Sequence, residues 1–212
     1  MEDIINFRKK FFSSDSAYNL KDQKIDDCVA DFYRKEIEST GRQYIDSAYV
    51  RSIIEAVIAW VRGDYKCCFF TGGVGLGKTA MLRAIIKLFD MARDPINIPP
   101  LKCRALVYYD ATELCEKYVS SEEARYECFN CKLLVIDDLG CEPEVSVSYG
   151  NKKKPINEIL VARYASRLPT IISSNLTPEE FAERYGNRVA DRVNETFQFI
   201  EYPPHESFRR LR

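Results

Sequence analysis

The run Gly72-Gly73-Val74-Gly75-Leu76-Gly77-Lys78-Thr79 admits very few folds. It fits the pattern G-x-x-x-x-G-K-[ST], which needs a buried strand before it and a helix after it. Both are predicted. Cys67-Cys68-Phe69-Phe70 is an unbroken apolar run of strand length, and Leu82, Ile85, Ile86 and Phe89 recur at helical spacing. The residue types follow from the chemistry of a polyphosphate. Successive backbone N–H groups surround its charges only where no side chain intervenes, hence the glycines. The helix that follows points its free N–H groups and its positive dipole end at the same place. Lys78 then reaches the β and γ phosphates and Thr79 offers its hydroxyl to magnesium. The nucleotide cradle is expected to comprise Gly72, Gly73, Val74, Gly75, Leu76, Gly77, Lys78, Thr79 and Ala80.

The rest of the composition narrows the class. The 212 residues allow one domain with an extension, and 46% apolar residues supply a sizeable core. A net charge of −1 excludes a global electrostatic footprint for nucleic acid, so any DNA contact is local. No apolar run approaches a membrane span. Met1-Glu2-Asp3 opens acidic, with no signal-peptide core after it, so a cytoplasmic location is expected. In that compartment the eight cysteines read as thiols. Cys67 and Cys68 belong to the first strand. Cys128-x-x-Cys131 is half of a zinc pattern with no good second half: His205 is far along the chain, and Cys115 and Cys141 are the nearest other thiols. Buried thiols are the favoured reading.

Taken in order, residues 1–42 read as a helical extension. Phe7, Phe11 and Phe12 with Arg8, Lys9 and Lys10 form a basic, aromatic stretch, and Ile25, Val29, Phe32, Tyr33 and Ile37 share one helical face. The extension either packs on the main domain or serves as a docking arm for a partner. Asp46 or Ser47 caps a helix carrying Val50, Ile53, Ile54, Val57, Ile58 and Val61, closed by Gly63. Asp94-Pro95 and Pro99-Pro100 mark a loop. Ala105 to Tyr109 is a second strand, with Asp110 and Thr112 starting a helix. Residues 141–155 are expected to form a long loop, in which Lys152, Lys153 and Lys154 make a solvated turn or, alternatively, a DNA phosphate patch. A helix is predicted from Pro155 through Arg167. Thr177, Pro178 and Glu180 have capping-box spacing, and 196–202 alternates like a last strand.

Leu133-Leu134-Val135-Ile136-Asp137-Asp138 is the second strong signal. Carboxylates at the C-terminal end of a buried parallel strand face the ligand crevice of an open α/β sheet. Asp137 is placed on magnesium, and Asp138 is placed to orient or deprotonate an attacking water. Thr170-Ile171-Ile172-Ser173-Ser174-Asn175 is a further strand with a polar tip, so Asn175 is expected beside Asp138. Arg188 and Arg192 lie four apart on one helical face.

Together these segments resemble the AAA+ ATPases, and more closely the DnaC/DnaI-type helicase loaders and IstB-like transposase helpers. The likeness covers roughly residues 43–212. It rests on the glycine run, on Asp137-Asp138-Leu139-Gly140, on Ile171 to Thr177, and on Tyr185-Gly186-Asn187-Arg188-Val189-Ala190-Asp191-Arg192-Val193. It implies a three-layer α/β phosphate-loop NTPase with a five-stranded parallel sheet, helices on both faces and no separate lid domain. It implies ATP or ADP with Mg2+ as ligands, Asn175 as the first sensor, and Arg192 (with Arg188 as alternate) as a finger reaching the nucleotide of a neighbouring subunit. Arg209 is the implied second sensor, with Arg210 its competitor. The partners implied are a replicative helicase or a transposase-type protein, single-stranded DNA, and other copies of the chain. ATP hydrolysis in DNA replication is the expected function. The alternatives are the transposase-helper role, a small-molecule kinase with a self-contained site, and a nucleotide-dependent binding module with little turnover.

Overall fold

The computed structural model describes residues 25–64, 66–92, 106–148 and 150–204. The basic stretch at 7–12, the proline loop at 94–100, Ala105, Tyr149, His205, Arg209 and Arg210 lie outside the described residues. The rest forms two compact units.

The first unit is helical. It holds α1 (Ile25–Ser39), α2 (Ala48–Arg62) and α3 (Lys78–Ala92). Apolar residues at three- and four-residue spacing give each helix a buried face. Val29, Tyr33 and Ile37 of α1, Val50, Ile53, Val57 and Trp60 of α2, and Met81, Leu82, Ile85 and Phe89 of α3 are all buried. Helix α1 packs on both α2 and α3. Ion pairs from Arg62 to Asp26 at 2.8 Å and from Lys87 to Glu36 at 2.5 Å cross its margins. Ser47, rather than Asp46, caps α2: its hydroxyl accepts from the Val50 N–H at 3.2 Å, while Asp46 pairs with Arg51 at 2.9 Å.

The second unit is built on a sheet of β1 (Cys67–Gly72), β2 (Leu106–Asp110), β3 (Leu133–Leu139), β6 (Thr170–Ser174) and β7 (Phe197–Tyr202), in the order β2-β3-β6-β1-β7. The β2–β3, β3–β6 and β6–β1 pairings are parallel. The apolar runs of β3 and β6 are buried along their length, as strands covered on both faces must be. Between strands come α4 (Ala111–Ser120), α5 (Glu122–Asn130), α6 (Pro155–Ala165), α7 (Pro178–Tyr185) and α8 (Asn187–Thr196). Asp110 caps α4 through the Thr112 N–H at 2.9 Å. The capping box at α7 is complete, with Thr177 and Glu180 each accepting from the other's backbone N–H.

Two predicted boundaries move. Helix α6 stops at Ala165 because Arg167 takes a left-handed φ of 52°. The Arg167 and Leu168 N–H groups then fold back onto the carbonyls of Tyr164 and Arg163, a pattern glycine usually serves. The stretch 141–155 is not all loop. Strands β4 (Ser146–Ser148) and β5 (Asn151–Lys153) form an antiparallel hairpin, and Gly150 turns it at φ 78°. Lys152 therefore stands opposite Val147 in a ladder.

Gly140 shows how tightly β3 leaves the sheet. Its φ is 106°, and a Cβ there would meet the Leu176 side chain at 2.9 Å. Gly140→Ala is expected to cost about 1–3 kcal/mol, combining the left-handed backbone with the contact. The midpoint of urea unfolding reads this; an unmoved midpoint would mean the turn relaxes freely.

Candidate active site

The glycine loop joins β1 to α3. Gly72, Gly75 and Gly77 have φ of 140°, 80° and 95°, a backbone that residues with a Cβ rarely adopt. Gly73 is exposed, and a Cβ there would find only ordinary contact with Leu76 at 3.6 Å. Leu76 is buried and anchors the loop, whereas Val74 is exposed. Lys78, the first residue of α3, is 5% exposed, and its ammonium donates to the Gly73 carbonyl at 2.7 Å. A buried cation thus lies across the inside of a loop of backbone N–H groups at a helix N-terminus. That donor set suits the phosphates of a nucleotide. Thr79 and Ala80 follow, both half-buried.

The carboxylates lie where β3 ends. Asp137 is 4% exposed. The Tyr108 hydroxyl of β2 donates to its Oδ2 at 2.8 Å. The Ser173 hydroxyl of β6 donates to its Oδ1, as does the Asp138 N–H at 3.1 Å. The Asp138 N–H is shared with the Ser173 oxygen at 2.9 Å. Asp138 sits at φ 51°, and the pairing of β3 with β6 shifts register between Ile136 and Leu139. The bulge breaks the strand's alternation at the two aspartates, and Ser173 holds it. A buried carboxylate held in place at the end of β3 is an oxygen ligand of the hard kind that Mg2+ takes.

Asn175 is half-buried one residue beyond β6. Ser173 of this strand hydrogen-bonds the aspartate pair, a residue the pattern of the chain did not single out, and Tyr108 is the other addition. Both follow from register: Tyr108 stands beside Val135, two residues before Asp137. Arg188 is exposed on α8. Arg192 is half-buried, its guanidinium 5.2 Å from the ring centre of Tyr164, and its Nη1 is buried with no hydrogen-bond partner. The Tyr164 hydroxyl donates to Glu195 at 2.6 Å.

Cys128 and Cys131 are both fully buried. Arg163 donates to both their carbonyls, at 2.9 and 3.1 Å, and to the Cys131 sulfur at 3.4 Å. Burial first, and then the neighbouring Cys131, pushes the Cys128 thiol up to about 12. A metal would need the thiolate. Among the described residues no cluster of three or more metal-binding side chains occurs.

No protein-family model matches the chain. Over 172 residues it is 26% identical to the replicative helicase loader DnaC of Escherichia coli K12, covering 78% of this chain and 62% of the loader. The chain therefore spans less than two thirds of the length of the curated relatives it matches. Among solved structures, that of the DnaC helicase loader aligns with a TM-score of 0.59 at 19% identity, over 80% of this chain and 97% of that one. DnaI aligns at 0.54 and 19%, over 82% and 93%. The replication initiator DnaA bound to AMPPCP and single-stranded DNA aligns at 0.56 and 18%, over 82% and 51%. These three likenesses establish a shared fold, the phosphate-loop α/β architecture.

Proposed function

We propose that this chain is a DnaC/DnaI-like AAA+ protein that binds and hydrolyses Mg-ATP and acts as a helicase loader in DNA replication. The observation that carries the reading is the glycine loop, with three left-handed glycines and a buried lysine folded inside it. In this proposal ATP displaces the Gly73 carbonyl as the acceptor for Lys78, and the loop N–H groups and the start of α3 take the phosphates. Magnesium, when bound, neutralises phosphate charge. Thr79 and Asp137 are the side chains that would hold it, with Tyr108 and Ser173 keeping the Asp137 carboxylate oriented. Asp138 and Asn175 position water. Arg192, or Arg188 beside it, completes the site of a neighbouring copy, and Arg209 is the second sensor.

The division into an extension, 1–42, and a nucleotide module, 43–212, belongs to the same proposal. So do a replicative helicase as partner, single-stranded DNA as ligand, and a cytoplasmic location. Among the described residues no helix is long and apolar enough to cross a membrane. The test is ATP binding by the wild type and by Lys78→Ala. Hydrogen bonds to charged groups are worth about 1.5–3 kcal/mol, so the variant should bind about 10- to 150-fold more weakly. A wild type that binds no ATP, or a variant that binds equally well, would sink the reading. Stimulation by a replicative helicase, as against a transposase–DNA complex, decides between loader and transposase helper.

A further inference from the structure

Glu142 is 3% exposed, a carboxylate almost entirely out of water. It belongs to neither the glycine loop nor the aspartate pair. Its Oε2 accepts from the Gly140 N–H at 2.8 Å, in the turn that directly follows Asp137 and Asp138. Its Oε1 accepts from the Tyr185 hydroxyl at 2.6 Å and from the Arg184 Nε at 3.3 Å. Arg184 also donates to the Glu142 backbone carbonyl and lies 3.7 Å from Glu144. One side chain therefore grips two places: the turn after β3 and the last residues of α7.

What lies beyond each grip gives it meaning. On one side, two residues from Gly140, is Asp138 with its left-handed backbone. On the other, α7 ends at Tyr185, Gly186 turns the chain at φ 87°, and α8 begins, carrying Arg188 and Arg192. The far end is itself anchored, because Asn157 of α6 donates to the Tyr185 carbonyl at 2.6 Å. The Tyr185 hydroxyl is pushed well above the usual tyrosine range, by burial first and then by its bond to Glu142, so it stays a donor. Burying a carboxylate is costly unless it is paired and hydrogen-bonded. Here both conditions are met, and neither partner is a nucleotide ligand in the reading above.

We propose that Glu142 is a positioning residue that clasps the aspartate turn to the α7–α8 junction, so that the water-orienting Asp138 and the arginines of α8 move as one piece. The consequence for activity rests on the ATPase reading; the clasp itself does not. A change in the aspartate turn is passed to the helix that would face a neighbouring copy, and seating of that helix is passed back. This makes the state of the catalytic turn depend on assembly without any contact from Glu142 to the nucleotide.

Hydrogen exchange read by mass spectrometry tests the clasp on the full chain, with no nucleotide added. Tyr185→Phe alters only the far grip, whereas Arg184→Ala also removes the bond to the Glu142 backbone carbonyl. Each is expected to speed exchange at residues 140–142 by about tenfold, and Glu142→Ala to do the same at 186–190. Effects confined to the substituted side, or one uniform loss of protection throughout the protein, would overturn the proposal. Turnover adds a second readout. Glu142→Ala should lose on the order of a hundredfold in kcat with ATP affinity within about threefold, and Glu142→Gln should recover part of the loss. Equal losses of affinity and rate would mark a merely structural residue. A wild type with no turnover defeats the ATPase reading alone and leaves the exchange result to decide the clasp.

Discussion

Arg192→Ala is expected to lower ATP turnover by about a thousandfold while leaving ATP affinity nearly unchanged. The size follows from what an arginine finger supplies: charge on the transferring phosphate that matters only at the transition state. In the free chain this guanidinium rests on the Tyr164 ring, and its buried Nη1 has no acceptor. It therefore holds unspent donor capacity next to an aromatic platform on the half-exposed side of α8. If it serves a neighbouring copy, turnover per subunit climbs with protein concentration in the wild type and stays low in the variant. The measurement is that concentration series with magnesium present, with and without single-stranded DNA. A flat rate that survives the substitution would mean a site complete within one chain, and the kinase-like alternative would move ahead.

The second large effect is on stability. Arg163 is 1% exposed and has a hydrogen-bond acceptor for each of its three nitrogens, all neutral. Nε donates to the Thr170 hydroxyl at 2.9 Å, Nη2 to the Pro169 carbonyl at 2.5 Å, and Nη1 to the carbonyls of Cys128 and Cys131. It ties the end of α5, the start of β6 and α6 together. Arg163→Met keeps most of the stem but removes the donor from each of these acceptors, of which the Pro169 carbonyl keeps the Leu134 N–H at 3.2 Å. Each stranded group costs about 1–3 kcal/mol. Against this, the variant no longer buries a cation, and burial already pulls the Arg163 pKa down. The stranded acceptors outnumber the single relieved charge, so a net loss of about 3 kcal/mol is expected in urea unfolding. A variant as stable as the wild type would show that desolvation of the guanidinium cancels its hydrogen bonds.

The features legible in the chain were those written in short spans. The glycine loop, the apolar run ending in Asp137-Asp138, and the Thr177–Glu180 capping box all declare themselves within about a dozen residues, because a strand, a helix start or a tight turn is specified locally. The residues that went unseen gain their roles from pairing between distant segments. Ser173 is one more polar residue at a strand tip until β3 and β6 align and place its hydroxyl on Asp137. Tyr108 needs β2 beside β3, and Glu142 needs the end of α7. The Cys128-x-x-Cys131 spacing resembled half a metal site, and only the fold supplies the arginine that occupies its carbonyls. The early stop of α6 was hidden for a different reason: arginine is an unexpected occupant of a left-handed position.

The strand order carries a consequence for the protein's birth on the ribosome. Strand β1, which delivers the chain into the glycine loop, has β6 and β7 as its sheet neighbours, and both lie far downstream of it, beyond β3 and α6. During synthesis β1 emerges first of these strands and waits, its backbone donors and acceptors unmatched, until β6 and β7 have been translated. The glycine loop is thus made well before the strands that flank β1. A ribosome that stalls before β6 releases a polypeptide that carries the whole glycine motif yet lacks the sheet that would hold it in shape, so incomplete products are not expected to compete for ATP.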